Sequence, residues 1–327
     1  MSFPLNAYCL AFVSALAVTL VALPLWRFVA LKIGLIDNPG HRKIHSTPIP
    51  LAGGLAVATG LVLPLVAAVI FLQFRSLGGE AIELLSYGVR ARFWQLVAIV
   101  VGAIGMLILG LLDDKAELKA GPKFLGQLLV ALLVAGAGVR ITIFIDNVLF
   151  SYLVTIFWIL TLVNAFNFMD NMNGLCAGLG CISAGFFAAN AGLPGQYLVA
   201  LIALLVCGSL LGFLWYNYPN ASAILGDSGS HLVGYLMAVL GILPHFYHTL
   251  NPDPLAVLNP LFILGVPLAD LVMVVIIRLR IGQPIHVGDN NHLSHRLVRR
   301  GFSKPAAVAL IWLLAVGLGG ISLVTIL

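Results

Sequence analysis

Four long segments of the chain are almost free of charged residues, and this feature constrains the fold more than any other. They cover residues 10–25, 51–74, 96–112 and 304–327. A helix that crosses a membrane needs about 20 apolar residues, because each residue advances the helix axis by about 1.5 Å. Only 9% of the residues are charged, whereas a soluble domain averages about 25%. We therefore expect an all-α, polytopic integral membrane protein.

Charged residues and Pro/Gly-rich interruptions divide the apolar sequence into about ten expected transmembrane helices. The expected spans are 6–27, 51–74, 93–112, 122–139, 148–166, 175–192, 196–216, 231–248, 257–279 and 304–326. No internal repeat is evident, and the connecting segments are too short to form a second domain. We therefore expect one transmembrane domain over residues 1–327.

The basic residues predict how these spans are oriented. Most of the 17 Lys and Arg residues fall in connecting segments on one side of the predicted bundle. Cytoplasmic loops are enriched in Lys and Arg, so this side is expected to face the cytoplasm, with both termini outside. The net charge of +5 therefore follows membrane topology, and no nucleic-acid partner is expected.

Carboxylates, amides and histidines collect on the same side, although membrane topology calls only for cations there. They lie in five separate segments, residues 37–54, 111–127, 163–175, 215–235 and 286–304. Because five segments bring chemically active side chains to one membrane face, we expect them to form a single active site on the cytoplasmic face.

Adjacent carboxylates, Asp113 and Asp114, end the third predicted span in the sequence LLDD. Paired aspartates at a membrane surface can hold Mg²⁺ against a diphosphate, or share a proton so that one of them acts as a base. Lys119 and Lys123 follow and could contact phosphate. An exposed acidic helix end that these lysines neutralise is the alternative interpretation.

The segment NAFNFMDNMNGL, residues 164–175, places amides and a carboxylate beside apolar helices. Asn164 and Asn167 are three residues apart and share a helix face. An unpaired polar group that is buried costs about 1–3 kcal/mol, which favours a functional role over a chance cluster. A polar turn that faces water is the alternative.

The sequence GDSGS, residues 226–230, places Asp227 between glycines just before a predicted span. The first N–H groups of a helix attract anions, and the Asp227 carboxylate could hold a metal ion against phosphates. A simple N-cap formed by Asp227 or Ser228 is the alternative. The two interpretations are compatible.

Two further segments are cationic. In residues 286–304 the polar side chains recur every three or four positions, which predicts one helical face; they are Asp289, His292, His295 and Arg296. Histidine and arginine favour phosphate recognition, and zinc is the weaker alternative because no third ligand lies at standard spacing. In residues 37–54, Arg42, Lys43 and His45 form a loop that could instead contact anionic lipid head groups.

Oxygen ligands surrounded by cationic side chains are typical of a site for a diphosphate and Mg²⁺, with Mn²⁺ as an alternative. At a membrane surface they suggest a nucleotide-activated donor that reacts with a lipid phosphate. A membrane prenyltransferase would carry two DxxxD motifs, whereas this chain has one DD pair. A secondary transporter would show two related halves and a midplane site. Asp270 lies within a predicted span, and a structural pairing is expected for it.

These motifs, in this order from Asp37 to Lys304, resemble those of the polyprenyl-phosphate N-acetylhexosamine-1-phosphate transferases. This group belongs to glycosyltransferase family 4 and is related to the phospho-MurNAc-pentapeptide translocase. The resemblance implies transfer of a sugar-1-phosphate, expected to be N-acetylglucosamine-1-phosphate, from a UDP-sugar to undecaprenyl or another polyprenyl phosphate, with release of UMP. It implies the first membrane step of cell-surface glycan synthesis in a bacterial inner membrane. It is also compatible with a homodimer.

The resemblance also implies roles for individual residues. Asn167 and Asp227 would hold the metal ion, Asp113 and Asp114 would activate the lipid phosphate, and Lys123 would contact phosphate. Asp170, Asn173 and Asn217 would face the nucleoside, whereas His292, His295 and Arg296 would close over the donor sugar and diphosphate. Lys43 and His45 match basic residues in the first loop of the family, and we count them among the expected substrate-binding residues.

Three motifs depart from the family pattern. Asn171 and Asn173 stand in place of a glycine and a second carboxylate, Ser294 in place of a histidine, and Leu51 in place of an arginine. The first departure removes a negative charge beside the nucleoside, where an amide can still contact uracil or ribose. The other two concern the sugar identity and the rate, not the reaction class. Direct attack by the lipid phosphate is expected, because that group is already nucleophilic. A covalent phosphosugar–enzyme intermediate is the alternative.

Overall fold

The computed structural model describes residues 5–37, 48–73, 80–142, 145–246 and 254–324. These residues form a bundle of α-helices and one short hairpin. The helices are α1 (Leu5–Ile33), α2 (Gly53–Gln73), α3 (Glu80–Ala91), α4 (Phe93–Ala116), α5 (Ala120–Gly136), α6 (Val148–Met169), α7 (Leu175–Gly192), α8 (Tyr197–Asn217), α9 (Gly226–Ile242), α10 (Asn259–Ile263), α11 (Gly265–Arg280), α12 (Leu293–Arg299) and α13 (Lys304–Val324). The strands are β1 (Ile36–Asp37) and β2 (Ile49–Pro50), and a 3₁₀ helix (Pro254–Leu258) precedes α10.

The expected all-α membrane fold is confirmed. Among the described residues, seven helices are long and apolar enough to cross a membrane, namely α1, α2, α4, α6, α7, α8 and α13. The pair Pro254–Ile263 and Gly265–Arg280, bent by 69°, makes an eighth if it is one span. The count of ten is not confirmed, because α5 and α9 have only 17 residues each. Other helices surround α9 along most of its length, so α9 need not match the thickness of a lipid bilayer.

Helix α9 lies at the centre of the bundle and packs against α2, α4, α6 and α7. Two glycines allow α4 and α6 to approach α9 closely. Gly110 on α4 lies against α9, where an added Cβ would be 2.3 Å from the Ser228 Cα. Gly234 on α9 lies against α6, where an added Cβ would be 2.7 Å from the Leu162 carbonyl oxygen. Small residues allow such backbone contact between membrane helices, and here they bring α4 and α6 directly against α9.

The hairpin attaches the first connecting segment to the start of α9. Strands β1 and β2 pair antiparallel. At the end of β2, the Ile224 N–H donates to the Pro50 carbonyl, and just after it the Gly53 N–H donates to the Ile224 carbonyl, both at 3.0 Å. Lys43 and His45 lie between the two strands, outside the described residues. The structure therefore places only the ends of their segment near α9.

Candidate active site

Polar residues meet where four helices begin or end on one face of the bundle. Asp113 and Asn167 lie near the ends of α4 and α6, whereas Lys123 and Asp227 lie near the starts of α5 and α9. Their side chains are in direct contact. We call these four residues the acidic–amide cluster. It brings together three of the five polar segments of the sequence.

The ammonium group of Lys123 is surrounded by oxygen atoms. Its Nζ lies 2.7 Å from Asp113 Oδ2 and 3.6 Å from Asp227 Oδ2. It also donates to Asn167 Oδ1 at 3.5 Å. The other end of that amide, Nδ2, donates to Asp227 Oδ1 and, at 3.0 Å, to Ser230 Oγ. Asn167 therefore presents its oxygen to the cation and its nitrogen to the carboxylate.

The two adjacent aspartates face different partners. Asp113 turns Oδ2 towards Lys123. Asp114 instead accepts from the backbone N–H groups of Asp227 and Ser228, at 2.7 and 3.0 Å. These N–H groups have no partner within α9, because the first turn of a helix leaves them free. Asp114 therefore caps α9 from a neighbouring helix.

The acidic–amide cluster has the donor set that Mg²⁺ prefers. Oxygens of two carboxylates and one amide converge on the position of the Lys123 ammonium. Mg²⁺ and Mn²⁺ favour oxygen ligands of this kind. A second grouping adds nitrogen, because His231 offers a ligand atom within 4.8 Å of carboxylate oxygens of Asp113 and Asp227. The residues present therefore fit a divalent cation.

His231 is a site residue that the sequence patterns do not single out. It is fully buried and lies four residues after Asp227 on α9. Its Nε2 is 3.4 Å from Gln127 Nε2, and Gln127 Oε1 accepts from Asn164 Nδ2 at 2.9 Å. Gln127 therefore links Asn164 to His231. The four-residue spacing from Asp227 is the signal that could have indicated His231, because it places both on one helix face.

The turn between α6 and α7 carries Asp170 and Asn173. Burial raises the pKa of Asp170 well above its usual range, and the carboxylates of Asp227 and Asp114 raise it further. Asn173 Nδ2 donates to the Pro219 carbonyl at 3.1 Å.

Asn217 connects this turn to the segment that precedes α9. Its Oδ1 accepts from the Gly174 N–H at 2.6 Å, and its Nδ2 donates to the Ala223 carbonyl at 2.9 Å. The side chain is buried, and both ends of its amide shape the turn. A cavity of about 240 Å³ lies alongside, with Asn173 and Lys304 in its wall.

The sequence pattern predicts one helical face for Asp289, His292, His295 and Arg296. This prediction is wrong for the first two. Helix α12 begins at Leu293, so Asp289 and His292 lie on the loop before it. Asp289 Oδ2 is 2.8 Å from Arg278 Nε, and His292 Nδ1 is 2.7 Å from Asp270 Oδ2. Both residues of the loop therefore bond to side chains of α11. The structural pairing expected for Asp270 is thereby confirmed.

The loop before α12 and the first turn of α12 contact the end of α6 and the turn that follows it. Phe168 follows Asn167 on α6, and its ring packs edge-on against His292 with the ring centroids 5.7 Å apart. Ser294 Oγ, in the first turn of α12, donates to Asn171 Oδ1 at 2.7 Å. Two residues that depart from the family pattern therefore bond to each other and join α12 to the α6–α7 turn.

His295 and Arg296 both lie on α12. Burial lowers the pKa of His295, and the neighbouring His292 and Arg299 lower it further. The neutral imidazole of His295 is therefore favoured. Arg296 directs Nη1 at the sulfur of Met273, 2.9 Å away.

Comparison with known proteins identifies relatives that match most of the chain. The profile of "Glycosyl transferase family 4" matches residues 96–245. The "Probable undecaprenyl-phosphate N-acetylglucosaminyl 1-phosphate transferase" of Bacillus subtilis (strain 168) is 34% identical over 312 residues, which cover 93% of this chain and 81% of that protein. The "Decaprenyl-phosphate N-acetylglucosaminephosphotransferase" of Mycobacterium tuberculosis (strain ATCC 25618 / H37Rv) is 32% identical over 95% of this chain and 80% of its own length. The "Undecaprenyl-phosphate alpha-N-acetylglucosaminyl 1-phosphate transferase" of Escherichia coli (strain K12) is 26% identical over 90% and 77%.

The fold and the site define a multi-pass membrane enzyme whose carboxylates, amides and lysine meet at one end of its helices. The extent of the matches then settles the family. The chain belongs to the polyprenyl-phosphate N-acetylhexosamine-1-phosphate transferases of glycosyl transferase family 4.

Proposed function

We propose that this protein transfers N-acetylglucosamine-1-phosphate from UDP-N-acetylglucosamine to a polyprenyl phosphate, such as undecaprenyl phosphate, and releases UMP. The observation that carries the proposal is the convergence of Asp113, Asn167 and Asp227 on the Lys123 ammonium. The names of the relatives support the substrate class. We further propose that residues 1–327 act as one transmembrane domain in a bacterial inner membrane. The distribution of Lys and Arg supports a cytoplasmic position for the cluster.

Asn167 and Asp227 would hold the metal ion in this reaction, and Asp113 offers a further oxygen. Bound Mg²⁺, or Mn²⁺ in its place, would offset the negative charge of the donor diphosphate. Lys123 would supply a second positive charge to the same diphosphate. Its ammonium group is carried on a flexible four-carbon stem and can turn from the carboxylates to phosphate oxygens. Such fixed or closely held charges are most effective where negative charge develops in the transition state.

The two adjacent aspartates would have separate roles. Asp113 would orient the lipid phosphate and accept a proton from it, because its carboxylate faces side chains of the cluster. Asp114 would hold the start of α9, because both of its oxygens accept backbone N–H groups. The lipid phosphate oxygen then bonds to the phosphorus that carries the sugar, and the bond from that phosphorus to UMP breaks.

The remaining polar residues would bind the substrates. Asp170 and Asn173 would contact the nucleoside, and Asn217 would shape the turn that carries them. His292, His295 and Arg296 would contact the sugar and diphosphate from the loop before α12 and from its first turns. Lys43 and His45 lie outside the described residues, and the sequence alone supports their proposed role in substrate binding.

An assay of the purified protein tests the proposal. The protein is incubated with Mg²⁺, undecaprenyl phosphate and one of several UDP-N-acetylhexosamines, and the lipid product is identified by mass spectrometry. We expect UMP and a diphosphate-linked lipid from UDP-N-acetylglucosamine. A matched pair of variants controls the assay: Asp227→Asn should be inactive, whereas Asp146→Asn, before α6 at the opposite end of the bundle, should be active. Absence of a lipid product with every donor would contradict the proposal.

Isotope exchange distinguishes direct attack from the covalent alternative. Labelled UMP is added with the UDP-sugar but without the lipid phosphate. Direct attack predicts no label in the UDP-sugar, because no step can occur before the lipid acceptor binds. Label that enters the UDP-sugar at a rate near turnover would show a covalent intermediate and would make an aspartate the nucleophile.

A further inference from the structure

Asp270 is a buried carboxylate whose two oxygens both bond to the residues where α12 begins. The residue is only 3% exposed. Its Oδ1 accepts from the Leu293 N–H at 2.6 Å, and its Oδ2 lies 2.7 Å from His292 Nδ1. One oxygen therefore fixes the backbone, and the other fixes the imidazole ring.

This arrangement determines where His292 carries its proton. An ionised carboxylate can only accept hydrogen bonds, so the Nδ1 that faces Asp270 must carry a hydrogen. The second nitrogen, Nε2, lies on the far side of the ring, away from Asp270. The edge-on packing of Phe168 restricts rotation of the ring. His292 is itself 5% exposed, so water offers little competition for the bond to Asp270.

We propose that Asp270 is a positioning residue for the transfer reaction, which holds His292 with Nδ1 protonated and Nε2 directed away from Asp270 towards the substrates. This inference rests on the proposed function, in which His292 contacts the donor sugar and diphosphate. Asp270 itself touches no substrate. It acts on the reaction through the orientation and tautomer of His292, as a buried acid behind a histidine does in other enzymes.

The substitution Asp270→Asn tests the inference with little change of shape. The asparagine oxygen can still accept from the Leu293 N–H, but its NH₂ group now faces His292 Nδ1. Nδ1 must then accept, and the proton moves to Nε2. We expect kcat to fall about 100-fold, the lower part of the range for loss of a positioned proton donor or acceptor. KM for both substrates should change by less than about threefold, because the loop keeps its path.

Asp289→Asn is the matched control. It makes the same chemical change in another contact between this loop and α11, but Asp289 pairs with Arg278 and not with an imidazole. We expect kcat of this variant to stay within about threefold of wild type. An equal fall of kcat in both variants would mean that the loop merely needs its contacts with α11, and it would overturn the proposal.

A spectroscopic measurement tests the inference independently of enzyme activity. Solid-state NMR of protein labelled with ¹⁵N-histidine reports which ring nitrogen is protonated, and the His292 signals are assigned by their loss in His292→Gln. We expect a protonated Nδ1 in wild type and a proton on Nε2 alone in Asp270→Asn. A wild-type His292 with unprotonated Nδ1 would overturn the proposal, even if the variant failed to fold. If His292 is protonated as expected but the wild-type protein does not transfer the sugar phosphate, only the proposed function is contradicted.

Discussion

Gly110 lies where α4 touches the start of α9, so that it sets the distance between the LLDD and GDSGS segments. An added Cβ at Gly110 would lie 2.3 Å from the Ser228 Cα and 2.4 Å from the Asp227 carbonyl oxygen. All of these atoms belong to the backbone and cannot rotate away. The substitution Gly110→Ala must therefore move one helix relative to the other.

The structure gives the size of this movement. Ordinary van der Waals contact begins at 3.4 Å, so relief of a 2.3 Å contact requires about 1 Å of separation. The carboxylates of Asp113 and Asp227 would separate by a similar amount. A misplacement of about 1 Å can reduce a rate about 100-fold. We therefore expect kcat of Gly110→Ala to fall about 100-fold, while the apolar helices still insert and fold.

The assay compares Gly110→Ala with Gly136→Ala in detergent or lipid nanodiscs. Gly136 ends α5, and an added Cβ there meets no atom within 4 Å. Turnover and thermal unfolding are measured for both variants. We expect wild-type turnover for Gly136→Ala and a folded, nearly inactive Gly110→Ala. Turnover of Gly110→Ala within about threefold of wild type would refute the claim that backbone contact between α4 and α9 sets the active geometry.

Three further predictions follow from the site and its surroundings. Asp113→Asn should abolish turnover with little loss of stability, whereas Asp114→Asn should lower the unfolding temperature, because its NH₂ group cannot accept the second backbone N–H, a hydrogen bond worth about 0.5–1.5 kcal/mol; equal unfolding temperatures would contradict these separate roles. Although burial alone would raise the pKa of Asp289, its hydrogen bond from Arg278 lowers it below the usual value, so wild type should be more stable than Asp289→Asn at pH 7. That advantage should disappear as the pH falls below about 4, as thermal unfolding at several pH values would show. In a variant without native cysteines, Ser303→Cys should be labelled from the cytoplasm and Asp146→Cys from outside; the reverse pattern would contradict the orientation.

The sequence predicts the membrane fold because lipid imposes a simple requirement on composition. Long uncharged segments must become helices, and Lys and Arg residues bias the orientation. The same reasoning brings Asp113, Asn167 and Asp227 to one face. It does not give the number of spans, because α9 is enclosed by other helices and need not match the thickness of a lipid bilayer.

The finer chemistry of the site depends on contacts between distant segments. Asp113 and Asp114 are equivalent in the sequence, and only the start of α9 distinguishes them, by offering two N–H groups to one of them. The pairing of Asp270 with His292 also joins residues on separate elements. A helical pattern cannot indicate that such a pairing holds His292 before the first turn of α12.

Removal and return of the metal ion tests most directly the claim that the acidic–amide cluster is a site of metal-assisted sugar-phosphate transfer. The purified protein is stripped with EDTA, and lipid product is measured while Mg²⁺ is titrated back, in wild type and in Asp227→Asn. We predict no product without metal, recovery of wild-type turnover with Mg²⁺ or Mn²⁺, and no recovery in Asp227→Asn. Near-normal turnover of the stripped wild-type protein, or of Asp227→Asn, would contradict the claim.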